Sequence, residues 1–130
     1  MHNVRILCIG NRFAYPDNFG MLIYDKLKKI NPPYEIIEGG VGGMSLAPYF
    51  DDYKKILIID YAISNKKILT NNDIQNLQIK EYNHSNAFLY LLKTIKKRYV
   101  IYTCNTDFNP ENLDKYIEEI LNLAKEMDEN

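Results

Sequence analysis

The sequence predicts an α/β fold: one domain built as a three-layer sandwich, with a mostly parallel, twisted sheet and helices on both faces. Short, apolar, β-branched runs alternate with helical patterns along the chain, and this alternation is typical of βαβ units with right-handed crossovers. Residues 56–59 are apolar at every position, as in a central strand covered on both faces. The chain has 130 residues, which indicates a single domain over residues 1–130.

The amino-terminal half of the chain predicts three strands and two helices. Residues 4–9 form the first strand, and a helix follows that ends at Asn31-Pro32-Pro33. Its inward positions are Phe19, Ile23, Leu27 and Ile30. Strands over residues 34–37 and 56–59 come next, with a short helix over residues 44–53 between them.

The carboxy-terminal half predicts a strand between two helices, after a segment that is hard to assign. In residues 64–81, Thr70-Asn71-Asn72-Asp73 matches a capping box, whereas the asparagines indicate an exposed excursion. Ser85 is a candidate cap for a helix whose inward positions are Phe88, Leu91, Leu92 and Ile95. Residues 99–103 predict the last strand, and Asn109-Pro110-Glu111 opens the final helix. The apolar stripe of that helix is Leu113, Tyr116, Ile117, Ile120, Leu121, Ala124 and Met127.

The composition argues against several classes of partner. A formal net charge of −1 leaves no excess of cations for a nucleic acid, and no apolar run is long enough to span a membrane. The amino terminus enters a strand directly, without the regions of a signal peptide. Cys8 and Cys104 lie in strand patterns, as small buried side chains do in a reducing compartment. We therefore expect a cytoplasmic protein. We also expect a monomer, although the sequence does not identify the oligomeric state.

Two glycine-containing blocks follow predicted strands and mark the expected position of a site. The first begins at Gly10-Asn11 and ends at Asp17-Asn18-Phe19-Gly20, and the second is Glu38-Gly39-Gly40-Val41-Gly42-Gly43. Glycine lets the backbone turn sharply and approach a ligand, and sites in parallel sheets lie at the carboxyl ends of the strands. Neither block has the G-x-G-x-x-G spacing of a dinucleotide site.

Polar side chains near strand ends are the candidate chemical groups. Asp17 and Asn18 follow the first strand, Asp60 ends the central strand, and His84 precedes a later helix. Two carboxylates and one imidazole would suit a divalent transition metal. The same groups could instead act as acid and base around a water molecule.

Each candidate also has a structural interpretation. Asp17 follows Pro16 and precedes a helix, so it is a natural helix cap. Asp60 could cap a loop, His84 could be a solvated loop residue, and the glycine cluster could be only a tight turn. His2 is terminal, and we assign it no role.

In these blocks the chain resembles the maturation endopeptidases of nickel-iron hydrogenases. In that family, a strand is followed by Gly-Asn and then by an acidic pair and a glycine before the first helix. The second strand ends in an acidic residue and a glycine cluster, as at residues 38–46 here. The central strand delivers an aspartate near an alanine, as in Asp60-Tyr61-Ala62, and a histidine precedes a leucine-rich helix, as His84 does. The motifs occur in the same order along nearly the whole chain.

The resemblance implies a phosphorylase/hydrolase-like fold and a proteolytic function. Family members remove a carboxy-terminal extension from the hydrogenase large-subunit precursor after nickel has been inserted into it, so the nickel is supplied by the substrate. By position, the metal ligands and catalytic groups would be Asp60, His84 and an acidic residue at 17 or 18. The usual liganding position is occupied by Asn18, so Asp17 and Asn18 are both candidates. The implied substrate-binding residues are Glu38, Gly39, Gly40, Gly42 and Gly43.

Two alternatives remain open from the sequence. A homologue could bind the precursor without cutting it, because Asn18 is a weaker ligand than a carboxylate. Bacterial peptidyl-tRNA hydrolases share a Gly-Asn, a tyrosine and an Asn-x-Gly, echoed here by Asn11, Tyr15 and residues 18–20. They place a histidine immediately before that asparagine, where this chain has Asp17. No Ser-His or Cys-His nucleophile pair is evident, so the sequence does not support a covalent mechanism.

Overall fold

The computed structural model describes residues 2–52, 54–61, 66–77, 87–105 and 107–130. In those residues the strands are β1 (Val4–Ile9), β2 (Glu35–Gly40), β3 (Lys55–Tyr61), β4 (Ile68–Thr70) and β5 (Tyr99–Cys104). The α-helices are α1 (Phe19–Ile30), α2 (Asn71–Gln75), α3 (Ala87–Thr94) and α4 (Leu113–Glu129). Two 3-10 helices cover Gly43–Phe50 and Pro110–Asn112.

The strands form one sheet in the order β2-β1-β3-β5-β4. All neighbouring strands pair in parallel except β4, which runs antiparallel to β5. The central strand β3 pairs with β1 and β5, and residues 56–59 are fully buried, as the continuous apolar run predicts. The mostly parallel sheet is therefore confirmed, with one antiparallel edge.

Helices cover both faces of this sheet, which confirms the three-layer fold. On one face, apolar residues of α1 and α4 pack against alternate residues of β1, β3 and β5 in a single core cluster. On the other face, residues of α2, α3 and the 3-10 helix Gly43–Phe50 pack against the intervening strand residues. No helix in the described ranges is both long and apolar enough to cross a membrane. The thiols of Cys8 and Cys104 are free and buried, as predicted.

The second strand is longer than predicted, and the short helix after it is of another type. β2 extends through Glu38, Gly39 and Gly40, so the first two glycines of the cluster belong to the strand. The predicted helix over residues 44–53 is a 3-10 helix that contains Pro48. Proline has no N–H to donate, which suits a short segment of this kind.

The segment after β3 contains a strand that the sequence did not reveal. Residues Ile68–Thr70 pair with β5, and Thr70 and Asp73 form the predicted capping box at the start of α2. Asn71 is not part of an exposed excursion: its side chain donates to the Lys97 carbonyl at 2.7 Å and accepts from the Tyr99 N–H at 2.8 Å. The predicted cap Ser85 lies outside the described residues.

Candidate functional site

A cleft opens at the carboxyl edge of the sheet, where the sequence predicts a site. It lies at the ends of β1, β2 and β3 and includes residues from the loops that follow them. Its lining residues are Ile9, Gly10, Asp17, Gly40, Val41, Gly43, Asp60 and Phe88. The structure thus brings Asp17 and Asp60 to one cleft, together with two glycines of the predicted cluster.

Asp60 lies in this cleft near the end of β3, and its acidity is strongly altered. Its Oδ1 atom accepts a hydrogen bond from the Tyr61 N–H at 2.7 Å. The pKa of Asp60 is raised to about 8: desolvation is the largest cause and the negative charge of Asp17 adds to it, against the lowering effect of that hydrogen bond. Asp60 therefore holds its proton at a higher pH than an ordinary aspartate does.

Asp17 faces the same cleft because the loop after β1 folds back on itself. The Asp17 Oδ2 atom accepts the Asn11 N–H at 3.0 Å, which joins the two ends of the loop. The interpretation of Asp17 as the cap of α1 is wrong: the cap position is Asn18, and its side chain makes no capping hydrogen bond. The carboxylate of Asp17 is directed towards the start of its own loop and the cleft instead.

Asn18 contributes a buried oxygen without a hydrogen bond. Within the part of the chain that the structure describes, Asn18 Oδ1 has no hydrogen-bond partner, and Asn18 is not among the residues that line the cleft. A buried acceptor left unsatisfied costs about 1–3 kcal/mol, so this oxygen is available to a donor or to a cation. Asn18 is adjacent to Asp17. Its side chain offers an amide oxygen as a ligand, whereas Asp17 offers the oxygens of a carboxyl group.

His84 lies outside the described residues, so its convergence with Asp17 and Asp60 stays a prediction. Among the described residues, no three His, Cys, Asp or Glu side chains are grouped closely enough to hold a metal ion. The described part of the cleft therefore offers two carboxyl groups, those of Asp17 and Asp60. A complete O,O,N site would require the imidazole.

The glycines of the second block divide into two structural roles. Gly40 and Gly43 line the cleft and have φ values of 54° and 56°, which favour glycine. Gly39 instead packs against β1, because a Cβ there would lie 2.9 Å from the Cys8 carbonyl oxygen. A Cβ at Gly42 would lie 2.9 Å from Ser45 Oγ, so this glycine packs on the following 3-10 helix.

A second cavity adjoins the cleft and contains Glu38. Its lining residues are Gly10, Asn11, Arg12, Phe13, Met21, Glu38, Gly40 and Val41. Arg12 spans this region through ion pairs with Asp25 at 2.7 Å and with Glu38 at 3.4 Å. No role was predicted for Arg12, Phe13 or Val41, although an apolar residue between glycines could have indicated Val41.

The chain resembles known proteins both in sequence and in structure. The sequence profile of the hydrogenase maturation protease family HycI matches residues 21–127. Among curated proteins, no sequence matches the chain. The structure is similar to the hydrogenase maturating endopeptidase HybD from E. coli, with a TM-score of 0.72 and 19% identity, covering 95% of this chain and 93% of that one.

Two further solved structures share the fold. An endopeptidase from Escherichia coli superposes with a TM-score of 0.67 and 21% identity, covering 93% of this chain and 88% of that one. The [NiFe] hydrogenase maturation protease HycI from Thermococcus kodakarensis KOD1 gives a TM-score of 0.60 and 17% identity, covering 95% and 93% of the two chains. At these identities the structural likeness concerns the fold, while the sequence profile concerns the family.

Proposed function

The chain belongs to the hydrogenase maturation protease family, and from this we infer that it is an endopeptidase that processes a hydrogenase precursor. The observation that carries this conclusion is the profile match over most of the chain, which includes β2, β3 and their glycine and aspartate motifs. The cleft at the carboxyl edge of the sheet supports it, because it brings Asp17 and Asp60 together beside glycines that leave room for a peptide backbone.

We propose that the substrate is the nickel-loaded large-subunit precursor and that the enzyme removes its carboxy-terminal extension. The nickel belongs to the substrate. Asp17, Asp60 and His84 would be its ligands, and the amide oxygen of Asn18 is the alternative to Asp17. The raised pKa of Asp60 is consistent with this proposal, since a desolvated carboxyl group can release its proton when a cation binds.

The described residues favour hydrolysis without a covalent intermediate. Burial raises the pKa of the Cys8 thiol strongly, and desolvation also raises the pKa of Cys104, so neither thiol suits a nucleophile at neutral pH. A water molecule would attack the peptide carbonyl carbon, with an Asp60 or Asp17 carboxylate or the His84 imidazole accepting its proton. The same group would return that proton to the leaving nitrogen as the C–N bond breaks. Gly40 and Gly43 would let the extended peptide approach this point closely.

The test compares nickel-loaded and nickel-free large-subunit precursor from the same organism, each incubated with the purified protein. We expect a shortened large subunit only from the loaded precursor, detected by gel shift and by the mass of the released peptide. The matched variants are Asp60→Asn, which should not cleave, and Asp51→Asn, an exposed carboxylate outside the cleft, which should cleave normally. Binding of the loaded precursor without cleavage would instead support the non-catalytic homologue.

We also propose that this reaction takes place in the cytoplasm. The two free, buried thiols are typical of a reducing compartment. Cell fractionation followed by immunoblotting measures the location directly, and recovery in an oxidising compartment would contradict it.

A further inference from the structure

Exposed apolar side chains are concentrated at the edge of the sheet that carries the cleft. In the described residues the exposed large apolar side chains are Phe13, Tyr15, Ile30, Val41, Met44 and Ile68. Four of these six belong to the two chain segments that follow β1 and β2, and Phe13 is 94% exposed. Single exposed apolar residues are ordinary on protein surfaces, whereas a cluster beside a cleft indicates a binding surface.

We call the second cavity the outer groove. Of the exposed apolar residues, Phe13 and Val41 line it. It has a volume of about 360 Å³ and is open to solvent. It shares Gly10, Gly40 and Val41 with the cleft of Asp17 and Asp60, so the two cavities are continuous across these residues. At Gly40, a Cβ atom would find no other atom within 4 Å, so open space lies above the junction.

The wall that carries Phe13 is an ordered turn. The Phe13 N–H donates to Asn11 Oδ1 at 2.9 Å, and the Ala14 N–H donates to the Asn11 carbonyl at 3.1 Å. Arg12 is fixed beside it by two hydrogen bonds to Asp25, at 2.7 and 3.2 Å. The backbone therefore presents the Phe13 ring to solvent in a defined position, at no benefit to the core.

We propose that the outer groove binds an extended segment of the hydrogenase precursor next to its cleavage site, with an apolar side chain of that segment packed against Phe13 and Val41. This inference rests on the proposed function, because a peptide bond held near Asp60 places one flank of the substrate across Gly10 and Gly40. Continuity with the cleft favours this occupant over a second copy of the chain. An aromatic anchor at the centre of a small interface commonly carries much of its affinity.

The experiment measures binding and cleavage of the same organism's nickel-loaded precursor separately. We expect the double variant Phe13→Ser with Val41→Thr to raise the Kd and the KM at least about 10-fold. In the single variant Phe13→Ser, the Kd and the KM should rise while kcat changes less than about twofold, because Phe13 lines the outer groove but not the cleft of Asp17 and Asp60. The melting temperature should stay at the wild-type value, because both side chains are exposed.

A matched pair of single variants controls for the general loss of surface apolarity. Phe13→Ser and Ile30→Ser each remove one exposed apolar side chain, but Phe13 lines the outer groove, whereas Ile30 lies at the end of α1 and lines neither cavity. Phe13→Ser should weaken precursor binding measurably, and Ile30→Ser should leave it unchanged. Equal effects from the two variants would overturn the assignment of the groove.

The outcomes separate this inference from the proposed function. If the wild type binds but does not cut the precursor, the proposed function fails, and the groove is still judged by the Kd of the double variant. If the wild type cuts and the double variant binds and cuts equally well, only the groove inference is overturned. It is also overturned if the wild type does not bind the precursor, or if sedimentation shows a wild-type dimer that the double variant abolishes.

Discussion

Asp60 shows how the end of a buried strand can change the acidity of a side chain. The strand delivers the carboxyl group to the edge of the sheet where the ends of the parallel strands meet. Desolvation there raises its pKa, and the negative charge of Asp17 adds to the effect.

The raised pKa of Asp60 predicts a pH-dependent cost to stability. The folded protein keeps this proton up to about pH 8, whereas the unfolded chain releases it near pH 4. Because the folded state then binds more protons, the contribution of Asp60 to stability falls as pH rises from about 4 to 8. An amide at this position does not titrate, so the melting temperature of Asp60→Asn relative to wild type should rise between pH 5 and pH 8. Thermal denaturation without metal measures this, and a pH-independent difference would contradict it.

Asp17 and Asn18 are adjacent candidates for the same metal ligand. Which of them faces the metal depends on the residue at which α1 begins. The sequence placed both near the site but favoured neither, and the turn that directs Asp17 into the cleft depends on its bond to the Asn11 N–H. An amide at position 17 can keep that acceptor and lose only the charge.

We therefore predict that Asp17→Asn lowers kcat/KM for the nickel-loaded precursor by at least about 10-fold with little change in stability. Asn18→Asp should retain cleavage, because it adds a carboxylate beside the existing one and keeps an oxygen at the cap position of α1. Steady-state kinetics of both variants decide the assignment. Full activity of Asp17→Asn, together with a marked gain for Asn18→Asp, would assign the ligand to position 18.

Local sequence patterns predicted the main strands and helices, and the element that they did not predict was the shortest strand. Apolar spacing located α1 and α4, and the continuous apolar run located β3. The strand β4 has three residues, and it exists because it pairs with β5, about 30 residues further along the chain. A strand that forms through such distant pairing has no local sequence pattern from which it could be predicted.

The junction of β1 and α1 shows why the first glycine block has its spacing. An added Cβ at Gly20 would lie 2.0 Å from the Ile9 carbonyl oxygen, so the start of α1 packs directly on the end of β1. The same contact holds the loop of Asp17 over the cleft. The sequence indicated a turn here, but only the packing shows that Gly20 leaves no room for a side chain.

Gly20→Ala should therefore destabilise the protein by about 3 kcal/mol, because two backbone segments would have to separate. Gly42→Ala is the matched control: its backbone is right-handed helical, and its added methyl would meet the side chains of Ser45 and Leu46, which can move. We expect the control to change stability by less than about 1 kcal/mol. Urea denaturation of both variants tests this, and equal losses would contradict the close-packing argument.

The layers of helices and sheet were predictable from the sequence, whereas the network of charged residues around Arg5 was not. In the sequence, Arg5 is a single charged residue within a predicted apolar strand. In the structure it is only 7% exposed. It hydrogen-bonds to Glu35 at 2.6 Å and to Asp52 at 2.7 Å, and these partners are 30 and 47 residues away. It also donates to the Tyr49 carbonyl at 2.6 Å. These contacts close the sheet edge opposite to the cleft.

This network predicts how the protein responds to acid. Hydrogen bonding from Arg5 lowers the pKa of Asp52 to about 2 and also lowers the pKa of Glu35. A carboxyl group with a depressed pKa contributes stability above its unfolded pKa, near 4, and loses it as pH falls through the folded value. Wild-type stability should therefore decline between about pH 4 and pH 2, and Arg5→Met should decline less steeply in that range.

At neutral pH, Arg5→Met should lower the free energy of unfolding by about 2 kcal/mol, because it leaves two carboxylates and the Tyr49 carbonyl without their buried donor. This is less than the cost of breaking a fully buried ion pair, since the carboxylates of Glu35 and Asp52 keep some contact with water. The matched control is Arg12→Met, which removes an exposed arginine paired with Asp25 and should leave stability almost unchanged. Chemical denaturation from pH 2 to pH 7 measures both quantities for each variant. The prediction is contradicted if Arg5→Met and Arg12→Met lower the free energy of unfolding equally and show the same pH dependence between pH 2 and pH 4.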